Sequence, residues 1–115
     1  MGKLATKDLT RGEKLYIYRH RSELTQIQMS VELGVCLSEY RAMEFDEEGV
    51  RTPYHSVAPV EEHESCAVRR RREGMTKSEL AQLIGVSPYW LGQMEAGQAP
   101  IGRLVRYWEN DNEVG

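Results

Sequence analysis

Cysteine, proline and phenylalanine are scarce in this chain: two Cys, four Pro and one Phe among 115 residues. No apolar run approaches the roughly 20 residues needed to span a bilayer. Cys36 and Cys66 fit neither a CxxC spacing nor a zinc-ligand pattern. They are expected to be reduced, partly buried small side chains of an intracellular protein. His20, His55 and His63 lack HExxH or comparable spacing and are expected at the surface. A glycine-rich phosphate loop is also missing, so no enzymatic activity, metal or cofactor is expected. Residues 1–11 lack the apolar segment of a secretory signal. Met1-Gly2 with Thr6 begins like a myristoylation site, but no second lipid-binding cue accompanies it. The expected location is cytoplasmic, with no membrane partner.

Neither sign of charge dominates. Fifteen Lys and Arg against 18 Asp and Glu leave a net charge of -3 and a pI near 5.6. A global field that recruits polyanions is therefore absent, although a local basic patch can act while acidic groups face elsewhere. With 40% hydrophobic residues, 29% charged residues and a mean hydropathy of -0.59, the composition is that of a folded soluble chain. Its mass of 13.2 kDa fits one domain, or two very small ones sharing a core.

What is present is a succession of helix signals. Thr10 and Glu13 form a capping box for a helix over about 11–21. A second box, Thr25 with Gln28, opens a run that stops at Gly34, and another helix begins near Leu37. So short a gap leaves room only for a tight turn between two steeply angled helices. From Asp46 to Ala58 the periodicity fails, and 49–58 is expected as a linker, although Val50, Tyr54 and Val57 have the character to lie against a core or form a short strand. The next helix is expected over 59–72, with Pro59 at its start, acids at Glu61, Glu62 and Glu64, and bases at Arg69 to Arg72. That charge order complements the helix dipole.

The clearest segment is Thr76 to Glu95. Thr76 and Glu79 form a capping box, Leu80, Ala81 and Ile84 an inward face, and Gly85 suits a turn that a Cβ would resist. Val86 can plug the angle between the helices. Ser87 caps a second helix that Pro88 starts. Leu91 and Met94 point inward by spacing, leaving Tyr89, Trp90 and Gln93 outward. Gly97 ends this helix, Ile101, Leu104, Val105 and Trp108 predict a last one over 100–109, and 111–115 is expected as a frayed tail.

The two halves superpose at an offset of 51. Arg19, Arg21, Thr25, Gly34, Val35, Met43 and Glu44 meet Arg70, Arg72, Thr76, Gly85, Val86, Met94 and Glu95. Leu24, Met29 and Leu33 meet Met75, Leu80 and Ile84. Because the matches fall on caps, turn and core, two copies of one helical unit are expected, over 10–48 and 59–110.

With its polar cap, alanine after leucine, Gly-Val-Ser turn and closing hydrophobe-Glu with Gly97, Thr76 to Glu95 resembles the Cro and lambda-repressor-like (XRE) helix-turn-helix family. The first half is a degenerate copy, with Ser30, Cys36 and Asp46 where the second has Ala81, Ser87 and Gly97. The resemblance implies an all-α fold of two tandem units and a phage or bacterial repressor-like regulator on a double-stranded DNA operator, with a homodimer as a candidate assembly. It further implies base reading by Ser87, Tyr89, Trp90 and Gln93, and phosphate contacts from Lys77, Arg70 and Arg72. Gln26, Gln28, Ser38 and Arg41 are secondary contacts of the first unit, where Glu39 opposes phosphate. The alternative is a protein-binding antitoxin, antirepressor or inhibitor on the same scaffold, motivated by net acidity, the acidic stretch from Glu44 to Glu48 and the Tyr89-Trp90 pair.

Overall fold

The computed structural model describes residues 4–114. Among them the chain is all-α: seven α-helices, a single 3-10 turn at Thr6–Asp8, and no strand. Two compact units divide between Pro59 and Val60. The first, Ala5–Pro59, contains α1 (Arg11–Arg21), α2 (Gln26–Leu33) and α3 (Leu37–Glu44). The second contains α4 (Glu62–Arg72), α5 (Lys77–Ile84), α6 (Pro88–Glu95) and α7 (Gly102–Val114). Adding 51 to the bounds of α1, α2 and α3 returns those of α4, α5 and α6. The repeat therefore extends from residue identities to the placement of every shared helix.

Local chemistry sets those bounds. Thr10 Oγ1 accepts from the Glu13 amide at 3.1 Å while Glu13 Oε1 accepts from the Thr10 amide at 3.0 Å. Thr25 with Gln28 and Thr76 with Glu79 repeat the reciprocal arrangement, satisfying amides that a helix start leaves free. At the other end, Gly34 (φ 71°) and Gly85 (φ 78°) take the left-handed conformation that lets the chain turn at once into the next helix.

Each unit closes over its own core. Leu15, Met29, Tyr40 and Met43 form the first, flanked by Leu24, Leu33, Val35 and Val50. Cys66, Leu80, Ala81, Ile84, Leu91, Met94, Leu104 and Trp108 form the second, with Val86 packed at its edge. The helix pair of each unit finds apolar cover within that unit. The second unit takes part of that cover from α7, which Arg103 also fastens by donating to the Ile84 and Gly85 carbonyls at 3.3 Å.

Several expected boundaries move. Residues 49–58 are not a free linker: Thr52 Oγ1 donates to the Met43 carbonyl at 3.2 Å, Lys14 lies over the Tyr54 ring, and Val57 is buried. These contacts make the segment part of the first unit, without a strand. The fourth helix starts at Glu62 rather than Pro59, because the Glu61 amide is already bonded to Glu64 Oε1 at 2.9 Å and the turn begins there. The last helix continues through Val114, past the expected end at residue 109, and replaces the expected tail over 111–114. The Met1-Gly2 reading and Gly115 lie outside the described residues.

Candidate nucleic-acid interface

Beneath the candidate surface lies a buried ion pair. Arg70 on α4 donates through Nε to Glu95 Oε2 at 2.8 Å and through Nη1 to the Met75 carbonyl at 2.9 Å. This ties the last turn of α4 to the end of α6 and to the loop that leads into α5. The first unit repeats the pair, with Arg19 Nε donating to Glu44 Oε2 at 2.6 Å and Nη1 to the Leu24 carbonyl at 3.1 Å. Removing one partner of such a pair leaves a buried charge uncompensated, at a cost of about 3–5 kcal/mol.

The two pairs differ in how completely they are satisfied. Glu44 also accepts from the Tyr40 hydroxyl at 2.6 Å and from Gln26 Nε2 at 3.1 Å. Burial pushes its carboxyl up, but the donors from Arg19 and Tyr40 outweigh that and hold it below the usual carboxylate value. The Tyr40 phenol is pushed well up, first by burial and then by the carboxylate it serves. In the second unit the positions of Tyr40 and Gln26 are held by Leu91 and Lys77, and Glu95 Oε1 is buried without a hydrogen-bond partner.

The buried pairs correct three readings. Arg70 is not a candidate phosphate contact, because its guanidinium is turned inward and engaged. Glu44 does not belong to a surface acidic stretch. Gln26 is half-buried and already engaged, donating to Glu44 and accepting from Arg41 Nε at 3.3 Å. The sequence shows both members of each pair as repeat identities but does not mark them as partners. An Arg and a Glu retained 25 residues apart in both copies were the available signal for a buried bridge.

Of the remaining second-unit candidates, those on α6 and Lys77 come together. Ser87 caps α6, accepting from the Trp90 amide at 3.0 Å, which commits its oxygen to the helix start. One turn on, Tyr89 is 73% and Trp90 44% exposed, large values for side chains of this size. Gln93 is half-buried, four residues beyond Tyr89 and three beyond Trp90, and so shares their face of α6. Lys77 is exposed in the first turn of α5, its Nζ 3.7 Å from where a Cβ on Gly92 would stand. The ammonium thus lies against α6 at Gly92. Arg72 is exposed at the last turn of α4.

No family model, curated protein or solved structure matches this chain.

The equivalent surface of the first unit is built differently. Gln28 is committed to the α2 capping box, and Ser38 Oγ lies 3.2 Å from Cys36 Sγ. Glu39 stands where the second unit has Trp90, and Ala42, at the place of Gln93, is buried. Arg41 is exposed. Cys36, expected to be partly buried, is exposed at the α3 N-cap, and a hydrogen bond with Ser38 and the Glu39 amide lower its thiol pKa. Cys66 is buried, and burial pushes its thiol up to about 12. Of the three histidines only His20 is exposed, its ring beside Tyr16, while His55 against Tyr18 and His63 against Gly97 are half-buried.

Among the described residues no group of His, Cys, Asp and Glu is placed to hold a metal ion. No helix among them is long and apolar enough to cross a membrane.

Proposed function

We propose that this chain is a cytoplasmic, sequence-specific double-stranded DNA-binding regulator of the Cro and lambda-repressor-like helix-turn-helix kind, with α6 as the element that enters the major groove. The observation that carries the reading is the outward face of α6. Tyr89, Trp90 and Gln93 share it, Lys77 lies beside it, and the inward side chains of the same helix are fully used by the core and by Arg70. A short helix anchored along one side, with groups capable of base contact along the other, suits insertion into a groove about 12 Å wide. Lys77 and Arg72 are assigned to phosphate. The first unit serves as a supporting copy, since Glu39 would meet phosphate with like charge.

Selection from a random duplex pool with the purified full chain, followed by a salt series on the enriched sequence and its scramble, tests the reading. The expected result is an enriched motif bound far more tightly than its scramble, with affinity falling steeply as salt rises. Enrichment of nothing, with equal weak binding to every duplex, would overturn it.

A second reading, a protein-binding antitoxin, antirepressor or inhibitor, is favoured by a different surface. On α2, Ile27 and Val31 are 61% and 73% exposed, one turn apart, where the second unit carries Ser78 and Gln82. Loss of function on Val31→Ser with duplex binding unchanged would support it.

A further inference from the structure

We propose that α6 selects adenine–thymine base pairs, with Gln93 reading adenine and the Tyr89 and Trp90 rings contacting thymine methyl groups. This rests on the DNA-binding reading above and narrows it to a class of operator.

The argument is an accounting of what α6 can still offer a base. Leu91 and Met94 are buried in the core, and Glu95 is buried against Arg70. Ser87 Oγ holds the Trp90 amide, Pro88 carries no donor, and Gly92 has no side chain. Three groups remain outward: one amide and two aromatic rings. Among the described residues neither the Gln93 amide nor the Tyr89 hydroxyl has a protein partner.

Each base edge asks for a particular chemistry in the major groove. Guanine offers two acceptors and is matched by a cation, yet α6 carries no Lys or Arg. Cytosine offers an amino donor and is matched by a carboxylate, yet the one carboxylate of α6 is buried and ion-paired. Adenine offers a donor beside an acceptor, which a Gln amide satisfies with two bonds. Thymine offers a methyl group, which suits an apolar surface. The groups left on α6 thus supply the two-bond adenine pairing and the apolar thymine contact but neither the cation that matches guanine nor the carboxylate that matches cytosine. The Tyr89 hydroxyl and the Trp90 indole N–H add single bonds that favour no one base. Their i, i+3 and i, i+4 spacing sets the rings and the amide against neighbouring base pairs of one half-site.

The test uses the selected duplex and three changes to it or to the protein. Replacing thymine by deoxyuridine in the half-site removes only the methyl group. Wild type is expected to lose about fivefold or more in affinity with an unchanged salt slope, and Tyr89→Ala with Trp90→Ala is expected to be indifferent to the exchange. Gln93→Arg is expected to shift the selected base from adenine to guanine. Circular dichroism and melting of each variant guard against loss of fold. A selected half-site dominated by G·C pairs, or equal affinity for thymine and deoxyuridine duplexes, would overturn this inference while leaving DNA binding intact. Absence of any preferred duplex would overturn both.

Discussion

His63 lies against Gly97, so closely that a Cβ on Gly97 would stand 2.9 Å from the ring carbon Cε1. The same contact in the first unit is made between Gly12 and Asp46, the residues 51 positions earlier, with the glycine on the opposite side. Gly12 amide donates to Asp46 Oδ1 at 2.9 Å, and a Cβ there would stand 2.5 Å from the Glu44 carbonyl oxygen. Asp46 (φ 53°) and Gly97 (φ 78°) share the left-handed turn that ends the third helix of each unit. Each copy can admit a side chain at one end of this contact only, and the two copies chose opposite ends.

A double-mutant cycle measures that exclusion. Gly97→Ala is expected to destabilise the chain by about 2–4 kcal/mol, combining the left-handed backbone with the collision. In a His63→Ala background the same change is expected to cost only about 1–2 kcal/mol, the backbone part alone. Chemical denaturation of the four proteins checks this, and strict additivity would show that ring and turn do not compete.

The buried carboxylate of the first unit makes stability sensitive to acid. Because folding lowers the Glu44 pKa, its contribution is present above the unfolded value, about 4.3, and is lost as pH falls through the folded value. Glu44→Gln is expected to cost about 3–5 kcal/mol at pH 7, with the gap to wild type narrowing below about pH 4. Denaturation midpoints from pH 7 to pH 3 report both. A gap constant over that range would mean that Glu44 is not the titrating group.

Tyr40→Phe retains the ring and removes one donor to Glu44, as Leu91 does naturally in the second unit. A cost of about 1.5–3 kcal/mol is expected at pH 7. Since folding raises the phenol's pKa, wild type keeps this contribution below about pH 10 and loses it as pH rises through the folded value. Melting in alkaline buffers checks the sign.

Lys77 and Arg70 should separate cleanly into a surface and a structural residue. Lys77→Gln restores the residue type that in the first unit donates to Glu44, giving the unpartnered Glu95 Oε1 a donor. A gain of about 0.5–1.5 kcal/mol in stability is expected, together with weaker duplex binding and a salt slope lower by about one. Arg70→Met is expected to leave that slope unchanged in whatever fraction stays folded, while lowering the melting temperature. Paired melting and salt-series measurements distinguish the two.

Cys36 occupies an N-cap without a side-chain hydrogen bond to the helix, whereas Ser87 at the equivalent position holds the Trp90 amide. Cys36→Ser is expected to add about 0.5–1 kcal/mol. In the native protein a thiol reagent should modify Cys36 rapidly and Cys66 only on unfolding, which mass spectrometry of a timed reaction resolves.

Short-range chemistry determined the helices. Thr10 with Glu13, Thr25 with Gln28 and Thr76 with Glu79 satisfy free amides within four residues. Gly34 and Gly85 permit the turns wherever the rest of the chain lies. The capped starts of α1, α2 and α5, the glycine stops and the 51-residue repeat are therefore readable from the sequence, whereas the start of α4 and the end of α7 are not. Outward Tyr89 and Trp90 followed from the same periodicity. Tertiary structure decided the fate of the charged and polar residues. Whether Arg70 meets solvent or Glu95, whether Glu44 is surface or core, and whether residues 49–58 hang free or dock through Thr52 and Val57 all depend on partners several to 25 or more residues away. A charge is stable in the interior only when folding delivers its counter-ion to within hydrogen-bonding distance, and no local pattern encodes that meeting.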